Sequence, residues 1–259
     1  MIPWALGSRH AFAVDDEANR FFIAIAVSLL NVGATWLFYL ALEPFVRRLL
    51  PDMLIGWTRL LVGHVRDPRV GRDVLIGVAA GVLFGVAGPG GTLVQILGRG
   101  DVGDLSASNM SYFAGARFAI ANMLVVLPTA LQSAMIGAFL YVVLLSIVRR
   151  QWIAGGIVLL FVCSVILSEI GILRWQALAF GVAAGIVAVV VFLRFGLLAV
   201  ATALAVNQIL LIVPLTLDLS QPHATVSSLT IIIVAGLATW AFVISRAGEG
   251  IFRRLLSPA

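Results

Sequence analysis

Lysine is absent from this 259-residue sequence, and cysteine, histidine and charged residues are scarce. All 17 basic residues are arginine, so the ordinary active site of a protein kinase, which needs a catalytic lysine, cannot be formed. The single cysteine, Cys163, excludes an intrachain disulfide and a cysteine metal cluster, and its apolar sequence neighbours indicate a packing role. Charged residues make up 11% of the chain, which is too few for a soluble surface.

Catalytic motifs are also missing. The three histidines, His10, His64 and His223, have no helical ligand spacing, and the sequence contains no HExxH, no GxSxG and no paired glutamates. We therefore predict no enzymatic activity, no catalytic residue and no metal site. The arginines flank apolar segments instead of forming one basic stripe, so nucleic acid is not expected as a partner.

Apolar residues dominate what is present: 61% of the chain is hydrophobic and the mean hydropathy is +1.10. Runs of about 20 apolar residues, when helical, match a hydrocarbon core about 30 Å thick. Backbone polar groups in lipid must be satisfied within their own segment, so each run is predicted to be a helix. The predicted fold class is all-α, a polytopic transmembrane helix bundle of about seven spans, at residues 21–42, 74–97, 118–148, 153–170, 177–193, 195–215 and 226–244.

Two of these runs are irregular. The second is interrupted by Gly88, Pro89, Gly90 and Gly91, where proline removes a backbone donor and glycine permits unusual dihedral angles. We predict that the helix kinks or ends there. The third run is long and contains Pro128, which suggests a short interfacial helix at 111–127 before the true span at 129–148.

The arginine distribution predicts the orientation, because short loops rich in arginine stay in the cytoplasm. Most of the 17 arginines fall on inner segments if the N-terminus is outside and the C-terminus inside. The chain then divides into a polar outer segment at 1–20, a membrane helix bundle at 21–245 and a basic inner tail at 246–259.

The first inner loop, residues 43–73, is the most strongly patterned polar stretch, and we call it the arginine-rich loop. Leu54, Trp57, Leu61 and Val65 recur at intervals of three and four residues, which predicts an interfacial amphipathic helix. Its polar side faces either anionic lipid or a protein partner, and a loop that only fixes topology is an equally open interpretation. The candidate contact residues are Arg47, Arg48, Trp57, Arg59, Arg66, Arg69 and Arg72.

The polar residues away from the ends of the predicted spans are neutral. Gln95, Asn122, Asn207 and Gln208 suit either interhelical hydrogen bonds or the lining of a solute path. Small residues at Gly181, Gly185 and Ala188 suit close helix approach.

One long segment resembles a known family. Residues 36–77 (WLFYLALEPFVRRLLPDMLIGWTRLLVGHVRDPRVGRDVLIG) resemble the C-terminal polytopic membrane region of bacterial transmembrane serine/threonine protein kinases. The shorter motifs YFAGARF, RRQW, FLRFGLL and PLTLDLS follow in the same order at 112–118, 149–152, 192–198 and 214–220. The resemblance covers roughly residues 20–245 and implies a multi-pass module in the bacterial cytoplasmic membrane, related to kinase signalling. The kinase domain itself is absent from these residues, so no catalytic residue is transferred.

These observations lead to one hypothesis and two alternatives. The hypothesis is a non-enzymatic integral membrane module for anchoring, sensing or scaffolding, which contacts membrane lipids and a protein partner or larger membrane complex. The alternatives are a small-solute transporter or channel, and an accessory subunit of an energy-converting membrane complex. No cofactor is predicted, and contact with pigment or lipid stays open.

Overall fold

The fold is helical throughout the part of the chain that the structure describes. The computed structural model describes residues 14–99, 116–170, 175–213, 215–216, 218, 220 and 224–246, and this part contains helices and turns but no strand. The all-α prediction is confirmed for these residues. The elements are α1 (Val14–Leu49), a 3₁₀ turn (Pro51–Leu54), α2 (Ile55–Leu61), α3 (Pro68–Arg99), α4 (Ala116–Val148), α5 (Gln151–Ile170), α6 (Trp175–Ile212) and α7 (Ala224–Ser245).

Four helical segments within the described residues are long and apolar enough to cross a membrane. They are Asp15–Val46, Arg117–Val148, Val182–Ile212 and Ala224–Ser245. Large apolar side chains also cover the outside of the bundle, for example Leu30 and Leu160, each 71% exposed. Such a surface is unfavourable in water and suits lipid. The helices therefore fit a membrane protein, while the seven-span count and the orientation remain predictions.

Three glycines on α3 allow it to approach the second half of α6 closely. A Cβ atom added at Gly77 would lie 2.5 Å from the carbonyl oxygen of Ala199, and one added at Gly81 would lie 2.6 Å from that of Ala203. One turn further on, a Cβ at Gly85 would lie 3.0 Å from the Leu210 side chain. The contacts advance together along both helices, so these segments run in the same direction with their backbones nearly touching.

Gly196 breaks α6 into two segments. Its backbone angles, φ 81° and ψ −166°, are far from helical and lie where only glycine is unstrained. The predicted boundary between the fifth and sixth apolar runs, at Arg194, lies next to this break. Val191 before the break and Ala203 after it belong to the same apolar cluster as Ala80 of α3. Both segments of α6 therefore pack beside α3.

The predicted interfacial helix at 111–127 is wrong for its described part, because α4 is one helix from Ala116 to Val148 with Pro128 inside it. The Thr129 hydroxyl donates to the carbonyl oxygens of Val125 and Val126, at 3.1 and 2.9 Å. Side-chain hydrogen bonds of this kind satisfy carbonyls next to a proline, which lets a helix in lipid continue through it.

Of the predicted kink or end of the second span at Gly88–Gly91, the end is not found. Helix α3 continues through Gly88, Pro89, Gly90 and Gly91 to Arg99. An end at membrane depth would leave backbone groups without partners, whereas a helix that continues through a proline loses only one hydrogen bond. The side chains of 86–99, including Gln95, lie outside the described residues.

Candidate functional site

The arginine-rich loop is folded back onto the helix bundle. Helix α2 spans only Ile55–Leu61, so the predicted amphipathic repeat ends at Leu61, and Val65 lies beyond the helix. Of the predicted apolar face, Leu54 is buried and Trp57 is half-buried, but Leu61 and Val65 are exposed. The loop is therefore a 3₁₀ turn, a short helix and a capped connection, and not one continuous amphipathic helix.

The connection between α2 and α3 is fixed by hydrogen bonds at both ends. Gly63, with φ 89°, ends α2 in a Schellman motif in which the His64 N–H donates to the Arg59 carbonyl (2.9 Å) and the Gly63 N–H to the Leu60 carbonyl (3.0 Å). Asp67 begins α3, because its carboxylate accepts the Arg69 N–H at 2.8 Å, with Pro68 in the first helical position.

Two ion pairs use Asp67, at the end of this connection, and Asp73, in the second turn of α3. The Arg59 guanidinium binds the carboxylate of Asp67, which joins α2 to the start of α3. Arg72 donates to Asp73 Oδ1 from Nε at 3.1 Å and from Nη2 at 2.9 Å. The Arg72 guanidinium also lies 5.6 Å from the ring centre of Phe195, next to the break in α6.

Asp73 is the buried charge of this region. It is 3% exposed, and its carboxylate lies against Gly56, where any added Cβ would collide with Asp73 Oδ2. Burial raises the pKa of Asp73 above its ordinary value of 3.8, and the Arg72 hydrogen bond and charge oppose that rise. Asp73 of α3 and Leu198 of α6 therefore both pack against Gly56 of α2.

Two further glycines close this end of the bundle. A Cβ added at Gly196 would collide with the backbone carbonyl of Met53 in the 3₁₀ turn. A Cβ added at Gly71 would lie 2.6 Å from the backbone nitrogen of Ser245, at the end of α7. The arginine-rich loop, the break in α6 and the end of α7 therefore form one packed unit, which we call the basic end.

The predicted contact residues divide into two groups. Arg59 and Arg72 are held in ion pairs, and Trp57 is half-buried with its Nε1 shielded from solvent and given no hydrogen-bond partner within the described residues. Arg48, Arg66 and Arg69 are exposed, as are the apolar side chains of Leu61, Val62 and Val65. The side chain of Arg47 lies outside the described residues.

Three of the four predicted intramembrane polar residues have described side chains. Gln208 Oε1 lies 3.4 Å from the Thr129 hydroxyl oxygen, a polar contact between α6 and α4. Asn122 and Asn207 are half-buried on α4 and α6. The Gln208 contact is of the interhelical kind, which is one of the two roles considered for these residues.

No group of three or more histidine, cysteine, aspartate or glutamate side chains that could hold a metal ion occurs among the residues that the structure describes. No protein-family model, curated protein or solved structure matches the chain. The resemblance to kinase membrane regions therefore stays a prediction.

Sequence reasoning missed the glycines that make the basic end compact. Gly56, Gly71 and Gly196 carry no chemistry of their own, and their importance depends on backbone segments that are distant in sequence. The signal available was the spacing of glycine beside charged residues in GRD at 71–73 and RFG at 194–196. That pattern is too short to predict which glycines lie against a distant backbone segment.

Proposed function

We propose that this chain is a non-enzymatic integral membrane module that presents the arginine-rich loop as a fixed docking surface for a protein partner. In this proposal the chain crosses the bacterial cytoplasmic membrane seven times, with the N-terminus outside and the loop inside, and is related to the membrane region of bacterial serine/threonine kinases. The role is anchoring or scaffolding, and sensing follows if the partner responds to the loop.

One observation carries the proposal: the described aspartates of the loop are engaged internally, while three arginines project outward. Asp67 and Asp73 bind Arg59 and Arg72, so their charges are used within the loop. Arg48, Arg66 and Arg69 remain exposed, and no described acidic group forms an ion pair with them. A rigid surface loses little conformational entropy on binding, so exposed cations on such a loop favour an acidic partner surface.

Site-specific photocrosslinking in native membranes tests the proposal. A photoreactive amino acid at Arg66 is expected to capture one specific protein neighbour. The matched control places the same group at Asp218, an exposed residue that the proposed topology puts on the opposite side of the membrane. Capture of lipid alone from position 66, or of the same neighbour from both positions, would contradict a docking role for the loop.

A further inference from the structure

The end of α4, the start of α5 and the first segment of α6 meet at one place. Leu145 of α4, Ala154 of α5 and Phe192 of α6 are buried in one apolar cluster. A Cβ added at Gly155 would lie 3.8 Å from Leu193 Cδ1, so the first turns of α5 pack directly beside the segment of α6 that precedes its break. The turn after α4 and the residues just before the break therefore lie at the same end of the bundle.

Three arginines project from this end. Arg149 and Arg150 form the whole connection between α4 and α5, and Arg194 follows Leu193 on α6. All three side chains are exposed, and none forms an ion pair within the described residues. Helices α4 and α6 contain no aspartate or glutamate, and the single acidic residue of α5, Glu169, lies at the opposite end of that helix. These helices therefore supply no counter-charge for the three guanidinium groups.

The backbone of Arg149 adopts a conformation that favours glycine. Its φ is 58°, and its N–H donates to the Leu145 carbonyl at 2.8 Å, which ends α4 in a left-handed cap. Glycine would adopt this conformation without strain, so the backbone gives no reason for arginine at this position. A long charged side chain here favours a role for the guanidinium group itself.

Large apolar side chains lie on either side of the turn. Ile147 at the end of α4 is 71% exposed, and Trp152 at the start of α5 is 72% exposed. Such side chains suit hydrocarbon, while tryptophan and arginine together are typical of the level at which the lipid headgroups begin. A ligand that fits this surface is apolar beside Ile147 and anionic beside the arginines. A phospholipid with a negatively charged headgroup has both properties, whereas free phosphate has only the charge.

We propose that Arg149, Arg150 and Arg194 bind the phosphate group of an anionic phospholipid, with its acyl chains beside Ile147 and Trp152. Guanidinium groups donate charge-assisted hydrogen bonds to phosphate oxygens, and basic sites between membrane helices suit such headgroups. The inference rests on the membrane placement in the proposed function, but it uses no residue of the arginine-rich loop.

Photocrosslinking in vesicles of defined composition tests the site. A photoreactive phenylalanine derivative replaces Trp152, and the purified full chain is reconstituted into equal parts of phosphatidylglycerol and phosphatidylcholine. Mass spectrometry of the adducts is expected to show about a fivefold excess of phosphatidylglycerol, the preference expected from one arginine near an anionic membrane surface. The matched control places the same group at Ile232, 67% exposed on α7, where the two lipids should be captured about equally.

Arg149→Gly separates the charge from the fold. Glycine suits a φ of 58°, so this variant should unfold at an unchanged or higher temperature while the phosphatidylglycerol excess at position 152 falls about two- to fivefold. Arg150→Gln and Arg194→Gln should lower the excess in the same way. Arg117→Gln removes an exposed arginine from the opposite end of α4 and should leave the excess unchanged.

Several results would overturn the proposal. They are equal capture of the two lipids at position 152, an equal excess at position 232, or an Arg149→Gly variant that keeps the excess. Loss of the lipid adduct on addition of inorganic phosphate would assign the site to a free anion, and capture of a protein from position 152 in native membranes would assign it to a protein partner. Failure of the chain to insert into either lipid is distinguishable from these, because it would contradict the membrane placement of the proposed function together with this inference.

Discussion

Helices α3 and α1 use the same residue type in opposite surroundings. On α3, a Cβ added at Gly77 or Gly81 would lie 2.5–2.6 Å from a backbone oxygen of α6, so glycine is what allows the two helices to touch. On α1, a Cβ added at Gly33 would meet nothing within 4 Å. The comparison separates a tightly packed centre, formed by α3, α6 and the basic end, from the part of α1 around Gly33, where a side chain can be added without contact.

The largest effect is expected at the junction of that centre. Gly196→Ala places a side chain at φ 81°, where a residue with a Cβ is strained, and against the Met53 backbone. Relieving either conflict requires the backbone to move. We expect a loss of about 3 kcal/mol or more in the free energy of unfolding, or failure to fold. Cys163 is buried and is the only cysteine, so its reaction with a thiol-specific dye during heating in mild detergent reports unfolding.

Gly33→Ala is the matched control for Gly196→Ala, because its new methyl group meets no neighbour and its backbone is helical. We expect this variant to be unchanged or more stable by about 0.5–1 kcal/mol, which is the ordinary gain of alanine over glycine in a helix. If both variants unfolded at the same temperature, the distinction between the packed centre and α1 would be wrong.

A smaller, graded effect is expected along α3. Gly81→Ala forces a methyl group to 2.6 Å from the Ala203 carbonyl oxygen, a backbone atom, whereas the nearest contact of Gly85→Ala is with the Leu210 side chain at 3.0 Å, which needs a smaller adjustment. We expect about 1–3 kcal/mol of destabilisation for Gly81→Ala and less for Gly85→Ala in the same thiol assay. Gly236→Ala on α7, where nothing lies within 4 Å, serves as the control. Equal unfolding temperatures for all three would contradict the close approach of α3 and α6.

The sequence predicted the helices better than it predicted their packing. Apolar runs identify segments that lipid forces into helices, so the all-α class follows from composition. The spacing of Gly181, Gly185 and Ala188 was singled out for close approach, yet the equally regular Gly77, Gly81 and Gly85 line the contact between α3 and α6. Choosing between such patterns requires knowledge of which helices are neighbours, and that information is not local.

The candidate site shows the same division between local and distant information. The cap at Asp67 is encoded in the adjacent Asp-Pro pair, and the exposed arginines follow from their surroundings in the sequence. The burial of Asp73 was not foreseen, because it depends on Gly56 lying beside the carboxylate. The break in α6 was placed next to its true position because Arg194 interrupts an apolar run, while the dihedral requirement belongs to Gly196.

The smallest expected effect concerns Asp73, which lies just before the predicted second span. Its pKa is raised in the folded protein, mainly by burial, so the folded state binds a proton more readily than the unfolded state. The stabilisation from protonation is complete below the ordinary pKa of 3.8 and is lost as the pH rises through the raised value. Asp73→Asn removes this titration, so the wild-type protein should become less stable relative to the variant as the pH rises from about 4 toward neutrality.

Thermal unfolding of wild type and Asp73→Asn across that pH range measures the difference in their free energies of unfolding. Titratable groups present in both proteins contribute equally and cancel from this difference. Adding Arg72→Gln sharpens the test, because removal of the opposing guanidinium should raise the pKa of Asp73 further and shift the loss of stability to higher pH. A difference between wild type and Asp73→Asn that is constant with pH would mean that the carboxylate is better solvated than its contact with Gly56 implies. A difference that grows in favour of the wild type as the pH rises would mean that the attraction of the Arg72 guanidinium outweighs the cost of burial.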